Sequence, residues 1–393
     1  MLGAGIFSAL APAAQSAGSW LLMALAVAAV VAYCNATCSA RLAARYPTSG
    51  GTYVYGRERL GPFWGYLAGW SFVVGKAASC AAMALTVGSY LWPDRANVIA
   101  AATVIAVTAL SAAGVQKAAW LTRGIVVFVL AVLAMVVIVC STSPGTGSAD
   151  QSTTPVTTWG VLQGAGLLFF AFAGYARIAT LSEEVKDPAR TIRRAVPLAL
   201  GITLAVYATV AVAVLSVLGA AGLAASVDPL AQAVRTAGAS ELSGVVRVGA
   251  TVAAAGALLA LLLGVSRTVL AMARDRYLPG ALTRVRAGTP LAAELTVGAI
   301  VAVLAAGVDV RGAIGFSSFG VLLYYAIANA SAWNLRGNRG PARVVPAVGL
   351  VGCLLLCASV PLASLIAGIG VTVLGAAVFA VQRQIRGRPR SSR

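Results

Sequence analysis

Long apolar runs follow one another along the chain, each closed by a short cluster of arginine, lysine, proline or glycine. A helix needs about 20 mainly apolar residues to cross the hydrocarbon of a bilayer. Runs near 18–40, 62–91, 97–115, 119–141, 159–181, 195–219, 242–271, 291–307, 311–334, 344–360 and 362–381 approach or exceed that length, and each predicts a spanning helix. A shorter apolar stretch at 2–14 precedes them and reads as the second half of a first helix. It has neither the basic n-region nor the cleavage site of a secretory signal.

Composition removes the soluble alternatives. The 393 residues are 60% hydrophobic and 10% charged, with a mean hydropathy of +0.89, outside the range of soluble globular domains. The net charge of +18 suggests a nucleic-acid partner only until its placement is read. Of 29 basic residues, 23 fall in alternate loops: Arg41 to Arg59, Lys117 to Arg123, Lys186 to Arg194, Arg267 to Arg286, Arg336 to Arg343, and the tail from Arg383. Asp94, Asp150, Asp228, Glu241 and Asp309 mark the intervening loops. The positive-inside rule therefore predicts a multi-pass cell-membrane protein with both termini in the cytoplasm and no nucleic-acid partner. The tail RQIRGRPRSSR serves as a topology determinant and lies where anionic lipid heads are. No loop is long enough for a soluble domain, so function resides within the bundle.

Catalytic chemistry finds little material. There is no histidine, no motif-spaced metal ligand set and no nucleophile with its base, so neither an enzyme nor a cofactor is expected. Cys34, Cys38, Cys80, Cys140, Cys353 and Cys357 all fall in or at the ends of spans and read as small packing residues.

Two spans break the helical rule. One is LGAGIF at the start; the other is LFFAFAGYARIAT around Gly174, with Gly164 and Gly166 before it. They lie about 170 residues apart, at corresponding positions if the chain is two repeats of five helices. Glycine-interrupted segments so placed are the pattern of transporters with discontinuous helices. An unwound helix offers the N–H groups of one half-helix to a carboxylate and free carbonyls to an ammonium, which suits a zwitterionic amino acid. Glycines that only permit close helix packing give the same pattern.

In order and spacing, GAGIFSALAP, YPTSGGTYVYGRERLGPFWGYLAGW, FFAFAGYARIATLSEEVKDPARTIRRAVP and SRTVLAMARDRYLP resemble the amino acid-polyamine-organocation permeases over nearly the whole chain. The resemblance implies an all-α membrane bundle of about twelve helices, alternating access, and an amino acid or related amine as substrate. The expected organisation is a first five-helix repeat at 1–141, a second, inverted repeat at 159–335, two further helices at 344–382 and a basic tail at 383–393. Broken first and sixth helices are implied as well. The family's carboxylate-binding loop falls on Gly3, Ala4 and Gly5, with Ile6 beside it. Carbonyls for the amino group fall on Phe170, Ala171 and Ala173, Gly174 gives the break, and Phe170 matches an aromatic gate. Phe172 is the weaker candidate for substrate contact. YPTSGGTYVYGRERLG resembles a cytoplasmic loop that rests on the bundle. Family members also carry a cytoplasmic tail and a first half-helix before the glycine loop; the sequence begins at that loop, and a misassigned start is the expected reason. A second reading follows from the same feature: a permease-derived protein that binds or senses a solute without moving it.

Sodium-driven relatives use hydroxyls on the eighth helix for one ion site. Here VAAAGALLALLLGV, between Thr251 and Ser266, has none, which leaves proton coupling or exchange. Glu183 and Glu184 are candidate proton carriers, though solvation or pairing with Lys186 and Arg190 is the plainer expectation. Arg177 and Arg267 are expected in structural pairs near the inner surface. Lys76 lies 12 residues beyond Trp64, roughly 18 Å along a helix and near the bilayer midplane. A lysine there costs about 2.5 to 3.5 kcal/mol on insertion scales. It is either a coupling cation or a brace on the carbonyls of a broken helix. The family's proton-coupling lysine sits on the fifth helix, where RGIVVFVLAVLAMVV has none.

The topology is directly testable. A phosphatase fused after Arg393 should be inactive and a fluorescent protein fused there should fluoresce; phosphatase activity would contradict the assigned orientation.

Overall fold

The structure is a computed structural model that describes residues 3–46, 50–113, 119–143, 157–175, 188–286, 289–335 and 343–387. Among them every regular element is helical, apart from an isolated bridge between Arg286 and Thr289. Helices α1 (Gly5–Ser8) and α2 (Leu10–Ala17) follow one path, because Ala9 keeps helical angles of φ −84° and ψ −20°. The interruption reflects Pro12, which has no N–H to offer the Ser8 carbonyl. Gly18, with φ 53°, then turns the chain into α3 (Leu21–Arg45), starting three residues later than the predicted span.

Beyond α3 come α4 (Thr52–Leu60), α5 (Pro62–Leu91), α6 (Ala96–Ala112), α7 (Ala119–Thr142) and α8 (Thr158–Phe172). The chain continues with α9 (Pro188–Ala225), α10 (Pro229–Thr236), α11 (Ser243–Arg274), α12 (Leu291–Gly307), α13 (Val310–Trp333), α14 (Val344–Ser359) and α15 (Leu362–Gly387). Two departures from the predicted spans matter. Helix α9 begins seven residues before the predicted span 195–219, and at Gly219, whose φ of 65° and ψ of 175° are not helical, it kinks into a short further helical segment that ends at Ala225. Within the span 159–181 the α-helix ends at Phe172 and a 3-10 turn follows at Ala173–Tyr175; residues 176–181 lie outside the described residues.

Eight helical stretches among the described residues are long and apolar enough to cross a membrane, while α8, α12 and α14 are shorter apolar helices. The outer surface is itself apolar: Val303 is 74% exposed and Ile366 63%. Such residues face lipid, whereas Asn35, Ser79, Ser317 and Glu294 are turned inward. The chain is an all-α membrane bundle.

Helices α5 and α13 form its centre and cross at two glycines. A Cβ on Gly75 would stand 3.1 Å from the Gly320 Cα, and one on Gly320 would stand 2.8 Å from the Gly75 Cα. Backbones therefore touch, as small residues permit in membranes. One turn away the hydroxyls of Ser79 and Ser317 share a hydrogen bond of 2.5 Å. This crossing fixes the position of Lys76, the residue after Gly75.

At the ends of these helices α4 is tied to the last turn of α11. The Tyr53 hydroxyl donates to Asp275, which also accepts from Arg57 Nη1 at 3.1 Å. Burial first, and the bond to Asp275 second, push the Tyr53 hydroxyl above its ordinary pKa. The amphipathic basic stretch of the sequence is thus a short helix docked on the bundle.

Gly320→Val should be costly, since even one added carbon meets backbone at the crossing. Overpacking of this kind costs about 1–3 kcal/mol, and a lowered melting temperature in detergent is expected. Val303→Leu, on the lipid face, is the control and should leave it unchanged; equal melting of both variants and the parent would contradict the crossing.

Candidate functional site

Helix α8 has 15 residues, roughly 22 Å of rise against about 30 Å of hydrocarbon. It opens at Thr157, whose side chain accepts the Gly160 N–H at 3.0 Å, and it ends inside the bundle. The Ala173 N–H reaches both the Phe169 and Phe170 carbonyls, tightening the chain into a 3-10 turn at Ala173–Tyr175. The break therefore begins at Ala173, one residue before the glycine expected to cause it.

Helices α1 and α2 run antiparallel to α8. A Cβ on Gly164 would lie 2.8 Å from the Ala17 Cβ at one end, and a Cβ on Gly5 would lie 2.6 Å from the Ala171 Cα at the other. The start of α1 and the end of α8 thus meet, backbone to backbone, where only glycine fits.

The chemistry of the two ends is complementary. The first helical donors of α1 are the Phe7 and Ser8 N–H groups, both to the Ala4 carbonyl, at 3.0 and 3.1 Å. The amides of Gly3, Ala4, Gly5 and Ile6 precede that carbonyl's reach and form the positive end of the helix dipole. The Ser8 hydroxyl also donates to Ala4, at 2.9 Å, and the Tyr90 hydroxyl donates to the Phe7 carbonyl at 3.0 Å. Ala4 packs on Val87 and Ala254, and Gly3 faces Ala257.

At the end of α8 two carbonyls accept hydrogen bonds from side chains of other helices. Lys76 Nζ donates to the Ala173 carbonyl at 3.1 Å, and the Tyr207 hydroxyl donates to that of Ala171 at 3.3 Å. Lys76 is only 4% exposed. An ammonium at the negative end of a helix is electrostatically well placed.

The structure brings Gly5 against Ala171 and Lys76 against Ala173. Ile6 and Phe170 are buried in the main apolar core, while Gly174 is exposed on the turn. The Phe172 ring packs against Tyr207 with centroids 5.5 Å apart. Arg267 is exposed near the end of α11. Arg177, Glu183, Glu184 and Lys186 lie outside the described residues, as does the Arg190 side chain.

Several polar groups escaped the sequence reading. Tyr207 is the lone polar aromatic of its apolar span, a signal that was present in the sequence. Arg311 donates to Gln15 at 2.9 Å, Ser16 at 3.1 Å and Gln163 at 3.4 Å, clasping the far ends of α2 and α8. Glu294 is fully buried in the first turn of α12; Ser111 donates to one carboxylate oxygen at 3.1 Å, and the other has no partner among the described residues.

Comparison with known proteins identifies the family. The amino acid permease family matches residues 1–385. An uncharacterised transporter of Mycobacterium tuberculosis (strain ATCC 25618 / H37Rv) is 64% identical over 399 residues, covering 100% of this chain and 90% of its own. Cationic amino acid transporter 4 of Homo sapiens is 31% identical over 385 residues, covering 88% of this chain and 60% of its own. The branched-chain amino acid permease BcaP of Bacillus subtilis (strain 168) is 23% identical, covering 91% of this chain and 84% of its own. With a match that spans nearly the whole chain and two helices that end against each other inside the bundle, the chain belongs to the amino acid permease family of the amino acid-polyamine-organocation superfamily.

Proposed function

We propose that the chain is a secondary active transporter of the cell membrane, with both termini in the cytoplasm, that moves an amino acid or related amine by alternating access. The observation that carries this reading is the meeting of Gly5 with Ala171, which sets an N–H-rich helix start beside a carbonyl-rich helix end. A zwitterion requires both. Gly3, Ala4, Gly5 and Ile6 receive the carboxylate; Phe170, Ala171 and Ala173 receive the ammonium; Gly174 allows the turn, and Phe170 closes over the substrate. With 1–141 and 159–335 as inverted halves, each half begins with its interrupted helix, the arrangement of transporters that rock about a central site. The helices in 344–382 and the tail 383–393 are additions to that core.

Transport is coupled to protons or runs as exchange, and Lys76 is the residue assigned to the choice. Its bond to Ala173 occupies a carbonyl of the proposed ammonium site. Protonated, it ties α5 to the end of α8. Deprotonated, it keeps only a neutral hydrogen bond, roughly half as strong, and the end of α8 is released. Proton loss toward the cytoplasm thereby loosens the site on that side.

Purified protein in proteoliposomes should accumulate at least one labelled amino acid or amine from a panel. Specific binding without uptake of any compound would favour a solute-binding receptor instead.

Gly5→Leu should abolish binding measured by calorimetry, because its side chain obstructs the backbone site and wedges α1 from α8. Phe170→Ala should weaken binding about tenfold, or 1.4 kcal/mol, with folding intact. Unchanged affinity in both variants would remove the site assignment.

Lys76→Ala should retain binding and counterflow exchange while losing accumulation against an imposed pH gradient. Undiminished concentrative uptake in that variant would refute the coupling role.

A further inference from the structure

Away from the interrupted helices, a cavity of about 430 Å³ opens where α4 meets α5 and α15 passes beside them. Its walls are aromatic. Phe63 packs edge-on against Phe379 with centroids 5.4 Å apart, and Tyr277 stacks on the same ring at 5.9 Å. Trp64, 44% exposed, stands at the rim as interfacial tryptophans do. The polar lining is Gln382 with Arg383, and no carboxylate lines the cavity among the described residues. Gln382 uses its amide nitrogen to donate to the Tyr277 carbonyl at 3.0 Å. Its amide oxygen is buried without a hydrogen-bond partner among the described residues.

These groups ask for a ligand with three parts. Arg383 suits an anion, the Gln382 oxygen suits a hydroxyl donor, and the rings suit an apolar body. The cavity lies at the first turn of α5 and the last turns of α15, where both helices leave the hydrocarbon. A basic pocket between helices at that level is a recognised form of lipid headgroup site. We propose that this cavity binds one anionic glycerophospholipid with a hydroxylated headgroup, of the phosphatidylglycerol type. The phosphate pairs with Arg383, a headgroup hydroxyl donates to Gln382, and the glycerol and upper acyl carbons lie on Phe63, Tyr277 and Phe379. It is a site separate from that of the transported solute.

Native mass spectrometry of the whole protein, with equal amounts of phosphatidylglycerol and phosphatidylcholine of the same acyl chains, tests this. The parent protein should retain one phosphatidylglycerol in preference to phosphatidylcholine. Arg383→Glu combined with Gln382→Leu should lower that bound-to-free ratio at least tenfold. Gln382→Leu alone, which keeps Arg383, should lower it severalfold and serves if the double variant fails to assemble. Deleting residues 388–393 or adding millimolar inorganic phosphate should leave the ratio unchanged. Equal retention of the two lipids, an unaffected ratio in the variants, loss on tail deletion alone, or displacement by free phosphate would each overturn the assignment.

Discussion

Inside hydrocarbon a peptide carbonyl has no water to turn to, so every helix that stops there must find its partners within the protein. Helix α8 stops at Phe172, and that single constraint organises the surrounding bundle. An unmet buried acceptor costs about 1–3 kcal/mol. Lys76 and Tyr207 meet the need from α5 and α9, at 3.1 and 3.3 Å from the Ala173 and Ala171 carbonyls. Lys76 can reach only because α5 is held against α13 by the glycine crossing one residue away. The burial of Lys76 is offset in turn by the helix end it bonds. The buried lysine of α5 and the 3-10 turn at the end of α8 therefore explain each other.

In the proposed mechanism the same arrangement links stability to transport. Carbonyls satisfied by side chains from other helices can exchange those donors for a substrate ammonium; carbonyls satisfied within their own helix cannot do so without unwinding. The α1 end obeys the complementary logic, with amides whose partners are not supplied by helix geometry. Arg311 closes the opposite ends of α2 and α8 through neutral Gln15, Ser16 and Gln163, contacts that separate more easily than a buried ion pair. Firm packing at the α5–α13 crossing and exchangeable polar bonds around α1 and α8 are the division of labour that the proposed alternating access requires.

Much of this was readable in the sequence, and the remainder was not for specific reasons. Spanning helices follow from apolar length, so nearly all were found, with ends displaced where Gly18 and Gly219 redirect the chain. Gly5 was legible as an unusual residue for a helix start, while the backbone that leaves it no room for a side chain, that of Ala171, appears only in the packing. In α8 the break falls at Ala173, before the glycine: termination is set by bonds back to Phe169 and Phe170, which no local pattern shows. Lys76 announced itself by its cost, yet its partner lies 97 residues away in the chain and only packing reveals it. Helix α10 is eight residues long and amphipathic, too short for a span and too polar for the apolar pattern to register. Glu294 was hidden at the edge of a span, where a carboxylate reads as solvated until its neighbours on α6 are in place.

The claim on which the account rests is that Lys76 holds the interrupted end of α8. Hydrogen exchange in lipid nanodiscs, comparing the parent with Lys76→Ala, reads that end directly through the amides of residues 168–175. The expected result is exchange at least tenfold faster in that segment, with peptides from α13 unchanged. Identical exchange of the segment in both proteins would show that the end of α8 is held without the lysine and would contradict the account.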